Sequence, residues 1–119
     1  MMLTMMRAKI HNATVTETIL EYEGSITIDE DFIEKAGMLV NEKVQVVNLN
    51  NGERFETYII RGEKGSKTIC LNGPAARLAV AGDRVIIIAY AEMEISEAKK
   101  FKPTVVILDK GNCVKEIKK

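Results

Sequence analysis

Short runs of β-branched and aromatic residues, each bounded by turn residues, dominate the apolar and polar pattern of this chain. Residues 44–49, Val-Gln-Val-Val-Asn-Leu, read as one strand and residues 54–60, Arg-Phe-Glu-Thr-Tyr-Ile-Ile, as another. The turn cluster Asn50-Asn51-Gly52 between them predicts a hairpin. Residues 84–90 are nearly continuously apolar after the turn Ala81-Gly82-Asp83, which predicts a strand buried on both faces. Shorter strands are expected at 68–71, at 104–108 and, after Lys110-Gly111-Asn112, at 114–117. Two segments carry a helical signal instead. Residues 29–36 place Asp29, Glu30 and Asp31 in a first turn and Phe32, Ile33 and Ala36 on one face, with Gly37 as the stop. Residues 96–100 begin with Ser96 as a cap and end before Pro103. Many short strands with tight turns predict a mainly β fold, a small barrel with short helices, formed as one compact unit over residues 1–119.

Composition narrows the function classes. A chain of 119 residues, 46% apolar and 29% charged, has the balance of one soluble globular core. Its 17 basic and 17 acidic residues cancel, so it carries no electrostatic footprint for nucleic acid or an anionic membrane. The apolar start, Met1-Met2-Leu3-Thr4-Met5-Met6-Arg7, is interrupted at Thr4 and Arg7 and makes no secretory segment. Cys70 and Cys113 are far apart, with only His11 to join them, and read as two ordinary thiols rather than a metal site. A cytoplasmic location is expected.

The candidate chemistry centres on Gly24-Ser25. A serine hydroxyl is a nucleophile in waiting, and the glycine before it leaves its carbonyl unshielded by a Cβ. Attack of Ser25 on the Gly24 carbonyl would turn the amide into an ester, and elimination and hydrolysis would then leave a pyruvoyl group at a new amino terminus. The dipeptide alone decides nothing, because chance supplies Gly-Ser in about one chain of this length in two, and a second copy stands at Gly65-Ser66. The companions of Ser25 are Lys9 and His11, Tyr22, Arg54 with Thr57 and Tyr58, and the turn Asn72-Gly73-Pro74. In an extended strand Lys9 and His11 share a face, as do Arg54, Glu56 and Tyr58, which leaves Thr57 on the other side unless a β-bulge intervenes. One at a time, these residues read equally well as solvated or packing side chains.

Taken in order, they resemble the pyruvoyl-dependent aspartate 1-decarboxylases. The resemblance is carried by Lys9-Ile10-His11, Ala13-Thr14-Val15-Thr16, Tyr22-Glu23-Gly24-Ser25, Asp29, Asn51-Gly52, Arg54, Thr57-Tyr58, Gly65-Ser66, Asn72-Gly73 and Gly82-Asp83. The spacings match without gaps from Lys9 to Asp83, and they make Gly24-Ser25 the cleavage position and Gly65-Ser66 a turn. Leu3 and Asn12 stand where arginine is frequent in that family, and Pro74 stands where alanine is common. Proline has no N–H, so position 74 offers substrate no backbone donor, whereas Gly73 and Ala75 do.

The resemblance implies a double-psi β-barrel assembled as a homotetramer, with active sites between neighbouring subunits. It implies self-cleavage into residues 1–24 and 25–119. The amine of L-aspartate would then form a Schiff base with the pyruvoyl at position 25, and decarboxylation would give β-alanine for pantothenate and coenzyme A synthesis. It assigns Lys9 and Arg54 to the substrate carboxylates, Tyr58 to protonation of the carbanion, and Thr57 to substrate contact and to polarising the Gly24 carbonyl. Asn72, Gly73, Pro74 and Ala75 are expected at the substrate, and His11 and Tyr22 at the edge of the pocket or the cleavage loop. Two other classes stay open on the residues alone: a small barrel that binds without cleaving, and a hydrolase pairing Ser25 with His11, for which no orienting acid and no G-x-S-x-G elbow stand out.

Overall fold

The computed structural model describes Met1–Lys119. Its strands are β1 (Met2–Thr14), β2 (Glu17–Ile19), β3 (Ser25–Asp29), β4 (Lys43–Asn48), β5 (Arg54–Gly62), β6 (Ile69–Asn72), β7 (Arg84–Glu94), β8 (Thr104–Asp109) and β9 (Cys113–Lys118). Two short helices, α1 (Glu30–Ala36) and α2 (Ile95–Ala98), and 3-10 turns at Gly73–Arg77 and Lys110–Asn112 complete it. The strands form one mixed sheet in the order β2-β6-β3-β5-β4-β7-β1-β8-β9. Thr16 closes the sheet on itself just beyond β1. Its N–H donates to the Ile69 carbonyl at 2.8 Å, and its hydroxyl both donates to that carbonyl and accepts from the Ile69 N–H. The result is a small, mainly β barrel, as expected, filled by Ile10, Ile26, Val46, Ile59, Leu71 and Ile87, each with no exposed surface.

The predicted hairpin is β4 and β5, antiparallel from Lys43 opposite Tyr58 to Val47 opposite Arg54. Asn48 shapes its turn, its Oδ1 accepting from the Asn50 N–H at 2.8 Å and its amide donating to Asp83 at 2.9 Å. α1 also forms as read. The Asp29 carboxylate caps it through the Asp31 N–H, and Gly37 ends it at φ 72°. Asp29 reaches further, accepting from the Gly65 and Lys67 N–H groups, so Gly65-Ser66 does lie in an exposed turn, pinned to the helix start.

Two expectations fail. β7 is not buried on both faces: Val85, Ile87 and Ala89 are buried, but Ile86 and Ile88 are only half-buried and Tyr90 is exposed. The continuous apolar run hides a period of two, because its outer face is covered only partly within one chain. Ser96 does not cap α2; Glu94 holds the cap position without a side-chain bond. No bulge interrupts the β4–β5 register at Thr57 and Tyr58. Three strands went unread. β1 is rich in methionine, and β2 and β3 are short.

Candidate active site

Position 25 is set by strand pairing. Ser25 opens β3 and lies directly opposite Asn72, the last residue of the antiparallel neighbour β6. Ser25 has no exposed surface and Asn72 almost none. The Asn72 Nδ2 donates to the Ser25 hydroxyl at 3.0 Å and to the Thr27 hydroxyl at 2.9 Å, while the Ser25 hydroxyl donates to the Glu23 carbonyl at 3.0 Å. Residues two apart on a strand share a face, so Thr27 stands beside Ser25 and Cys70 beside Asn72. The Cys70 thiol donates to Asn72 Oδ1 at 3.2 Å. By contrast Ser66 is exposed and donates only to the Glu63 carbonyl of its own turn.

The chain bends sharply at the end of β6 and returns against the segment before Ser25. Gly73 has φ 63°, and a Cβ there would stand 2.6 Å from the Tyr22 carbonyl oxygen and 2.8 Å from the Gly24 nitrogen. Only glycine lets the two backbones approach so closely. The Pro74 ring then packs on Gly24, whose own Cβ would meet Pro74 Cδ at 3.3 Å. Beside this contact opens a cavity of about 340 Å³ lined by Gly24, Phe55, Glu56, Thr57, Tyr58, Pro74, Ala75 and Leu78.

Four consecutive residues of β5 can border one cavity because of an open strand edge. β5 pairs with β4 over Arg54–Tyr58 but with its other neighbour, β3, only from Ile59 onward. Thr57 lies in the row of buried Val44 and Tyr58 in the row of exposed Lys43, on opposite faces, and the cavity runs along the unpaired edge between them.

Lys9, His11 and Arg54 lie elsewhere. The register places Lys9, Ile88, Gln45 and Glu56 in one row across β1, β7, β4 and β5, and Ile86, Val47 and Arg54 in the next. Side chains directly opposite point to the same face, so Lys9 and Arg54 stand on the outer face of this sheet. Arg54 is exposed, donating to Gln45 Oε1 at 3.1 Å, and Tyr90 Oη donates to the same oxygen at 2.7 Å. His11 lines a different cavity, of about 460 Å³, with Asn12, Leu49, Arg84, Ile107, Leu108, Asp109 and Lys115. Burial, then the charge of Lys9, hold the His11 pKa below its ordinary 6.5, and its Nδ1 is buried without a partner. Ser25 has Asn72 and Glu23 as its partners and no bond to His11, so the serine–histidine hydrolase loses its geometry. Tyr22 presents an exposed side chain and contributes backbone to the Gly73 contact.

A family model for aspartate decarboxylase matches residues 1–115. The chain belongs to the aspartate decarboxylase family. It is 66% identical over 117 residues to the aspartate 1-decarboxylase of Chloroherpeton thalassium, covering 98% of this chain and 86% of that one. Identity to the aspartate 1-decarboxylase of Clostridium beijerinckii is 59% over 117 residues, covering 98% and 94% of the two chains. With that of Caldicellulosiruptor saccharolyticus it is 60% over 112 residues, covering 94% and 88%. Membership in the aspartate decarboxylase family makes the chain a decarboxylase, a lyase by class.

Within this aspartate decarboxylase fold the residues fit a group derived from Ser25. The Asn72 amide donates to the Ser25 hydroxyl, the oxygen that such a conversion would hand to Gly24, and the Gly73 backbone forms a cradle that any side chain would fill. Sequence reasoning missed Phe55, Glu56 and Leu78 at the cavity, Thr27 and Cys70 around Asn72, and Gln45 and Tyr90 at Arg54. The two-residue offsets from Ser25 and Asn72 were the available signal for Thr27 and Cys70. Nothing in the linear pattern marks the others. No helix is long and apolar enough to cross a membrane.

Proposed function

We propose that this protein cuts itself between Gly24 and Ser25, converts Ser25 into a pyruvoyl group, and decarboxylates L-aspartate to β-alanine and CO2 for pantothenate and coenzyme A synthesis. The observation that carries the reading is the buried Ser25 hydroxyl, held by Asn72 beside a glycine that lines an open cavity with Thr57 and Tyr58. Family membership supports aspartate as the substrate.

In the cut, Ser25 Oγ attacks the Gly24 carbonyl carbon. The C–O bond forms as the C–N bond breaks, and the hydroxyl proton passes to the Ser25 nitrogen. Thr57, at the same cavity, polarises the Gly24 carbonyl during this step. Loss of the Ser25 α-proton expels the Gly24 carboxylate, and water releases the nitrogen as ammonia. The new group supplies an electron sink for the pair left when the substrate loses CO2. Arg54 binds one substrate carboxylate bidentately and Lys9 attracts the other as a point charge. Tyr58 protonates the carbon that has lost CO2. Asn72 orients the Ser25 hydroxyl for the cut and remains a donor in the pocket afterwards, and the backbone of Gly73 and Ala75 contacts substrate beside the donorless Pro74. His11 and Tyr22 shape the surroundings.

Since Lys9 and Arg54 lie outside the cavity next to Ser25 in a single chain, the complete site takes them from a neighbouring copy. A closed homotetramer with shared sites follows from this reading. Its surroundings are cytoplasmic, supported by two free cysteines.

Intact mass and product assay test the proposal. Purified protein should show two chains, residues 1–24 and residues 25–119, the larger lighter by one ammonia than a simple hydrolysis product. It should release β-alanine from L-aspartate and scatter light as four copies of the polypeptide. Ser25→Ala should give one uncut, inactive chain. A single mass without β-alanine would leave a small barrel that binds without cleaving.

A further inference from the structure

We propose that Cys70 is a positioning residue for self-cleavage: its thiol fixes the Asn72 amide so that Nδ2, rather than Oδ1, faces the Ser25 hydroxyl. The inference rests on the reading of Ser25 as the pyruvoyl precursor. Its basis is a closed set of four side chains on the shared face of β3 and β6. The register places Ser25 opposite Asn72 and Thr27 opposite Cys70. Ser25, Asn72 and Cys70 are buried, and Thr27 is half-buried at the margin of the set.

An asparagine amide has two ends with opposite roles, and its neighbours decide which way it points. The Thr27 hydroxyl leaves the choice open, since it can donate or accept, and the Ser25 hydroxyl calls for Nδ2 only while its single proton stays directed at the Glu23 carbonyl. Cys70 closes it. Its S–H has Asn72 Oδ1 at 3.2 Å and only the Leu71 carbonyl, at 4.0 Å, as another acceptor. Sulfur is a weak acceptor, so turning the amide would trade an S–H···O bond for a poor N–H···S contact and strand the thiol proton. Burial pushes the Cys70 thiol up to about 11, so it keeps that proton across the physiological range.

The direction of the amide matters when Ser25 loses its proton. An N–H aimed at Oγ stabilises the oxygen as negative charge develops, because bonds to the charged form favour it. An amide oxygen in the same place would repel that charge and hold the proton on Oγ. The thiol therefore acts on cleavage through Asn72 without touching the reacting atoms.

The experiment compares precursor purified before cleavage, unsubstituted and as Cys70→Ala, Cys70→Val and Cys70→Ser, following the uncut mass over time. Ala and Val remove the donor, Val with more of the volume kept; Ser retains a donor. Cleavage should slow about tenfold in Ala and Val, as for loss of one buried hydrogen bond, and Ser should recover most of the rate. Melting temperatures of the same substitutions on a Ser25→Ala background, which stays uncut, show whether folding changed. Val serves if Ala does not fold. Ala or Val cleaving at the unsubstituted rate, or Ser slowing as much as they do, overturns the role of Cys70 alone. An unsubstituted chain that never cleaves overturns the pyruvoyl reading itself and this inference with it.

Discussion

Gly73 and Gly24 approach so closely that a Cβ on Gly73 would stand 2.9 Å from the Gly24 Cα. The turn after β6 is thus seated on the bond proposed to break. Gly73→Ala forces an L-residue into a left-handed conformation, a cost of about 1–2 kcal/mol, and adds a backbone clash. The variant should melt several degrees lower by calorimetry and cleave more slowly by intact mass. Parent-like melting and cleavage would mean that the loop before Ser25 moves aside freely.

Tyr58→Phe separates maturation from turnover. The phenol is proposed as a proton donor to substrate, so cleavage should survive while β-alanine release per pyruvoyl falls by about 10²–10⁴. Equal turnover at equal pyruvoyl content would exclude Tyr58 as the acid.

Arg54→Ala should act on recognition. Losing one charge-assisted pair costs about 1.5–3 kcal/mol, or roughly 10- to 150-fold in kcat/KM for L-aspartate. Mass spectrometry should show complete cleavage in this variant. An unchanged kcat/KM would remove Arg54 from the site.

The placement of Arg54 and Lys9 away from Ser25 yields a complementation experiment. Ser25→Ala supplies Arg54 without a pyruvoyl, and Arg54→Ala supplies the pyruvoyl without the guanidinium. Coexpressed in equal amounts, they should form mixed oligomers in which about a quarter of shared sites are complete. Activity no higher than that of Arg54→Ala alone would place both residues of each site in one chain.

Acid should weaken the fold through His11. Its pKa is lowered from 6.5 in the folded chain by burial and by Lys9, so folding favours the neutral ring. The unfolded chain takes up a proton first, and this contribution to stability is present above about pH 6.5 and is lost as pH falls through the lower folded value. His11→Gln should flatten this part of the stability curve, measured by urea unfolding from pH 7.5 to 5 on the uncut Ser25→Ala background. NMR titration should place the imidazole below 6.5. A folded value at 6.5 would abolish this slope and one above it would reverse it.

Local signals in the sequence were reliable where the structure is local. The turn Asn50-Asn51-Gly52 joins neighbouring strands, and Asp29 and Gly37 delimit a helix by capping groups within a few residues. The site depends on pairings that are far apart in the chain. Asn72 meets Ser25 across 47 positions, and no alternation pattern announces that β6 lies beside β3. Thr57 and Tyr58 reach one cavity without a bulge for a related reason. Parity holds and puts them on opposite faces, but β5 leaves one edge open where they stand, so residues from either face can border the cavity. The motif around Gly24-Ser25 pointed to the family, which the relatives bear out; the register decides which of its residues one chain can gather.

The barrel holds its amino-terminal strand from both sides, with β7 antiparallel along one edge of β1 and β8 parallel along the other. The break proposed after Gly24 would leave that strand on a separate 24-residue peptide wedged between two strands of the remaining chain. The halves have no need to part, and only denaturing conditions should resolve them. Refolding, however, changes its order of reaction. The uncut chain folds by itself at any dilution, whereas the cut one must find its missing strand in a bimolecular encounter. For a chain cut as proposed, the lifetime of the native state would be governed by its rate of opening more than by its equilibrium stability.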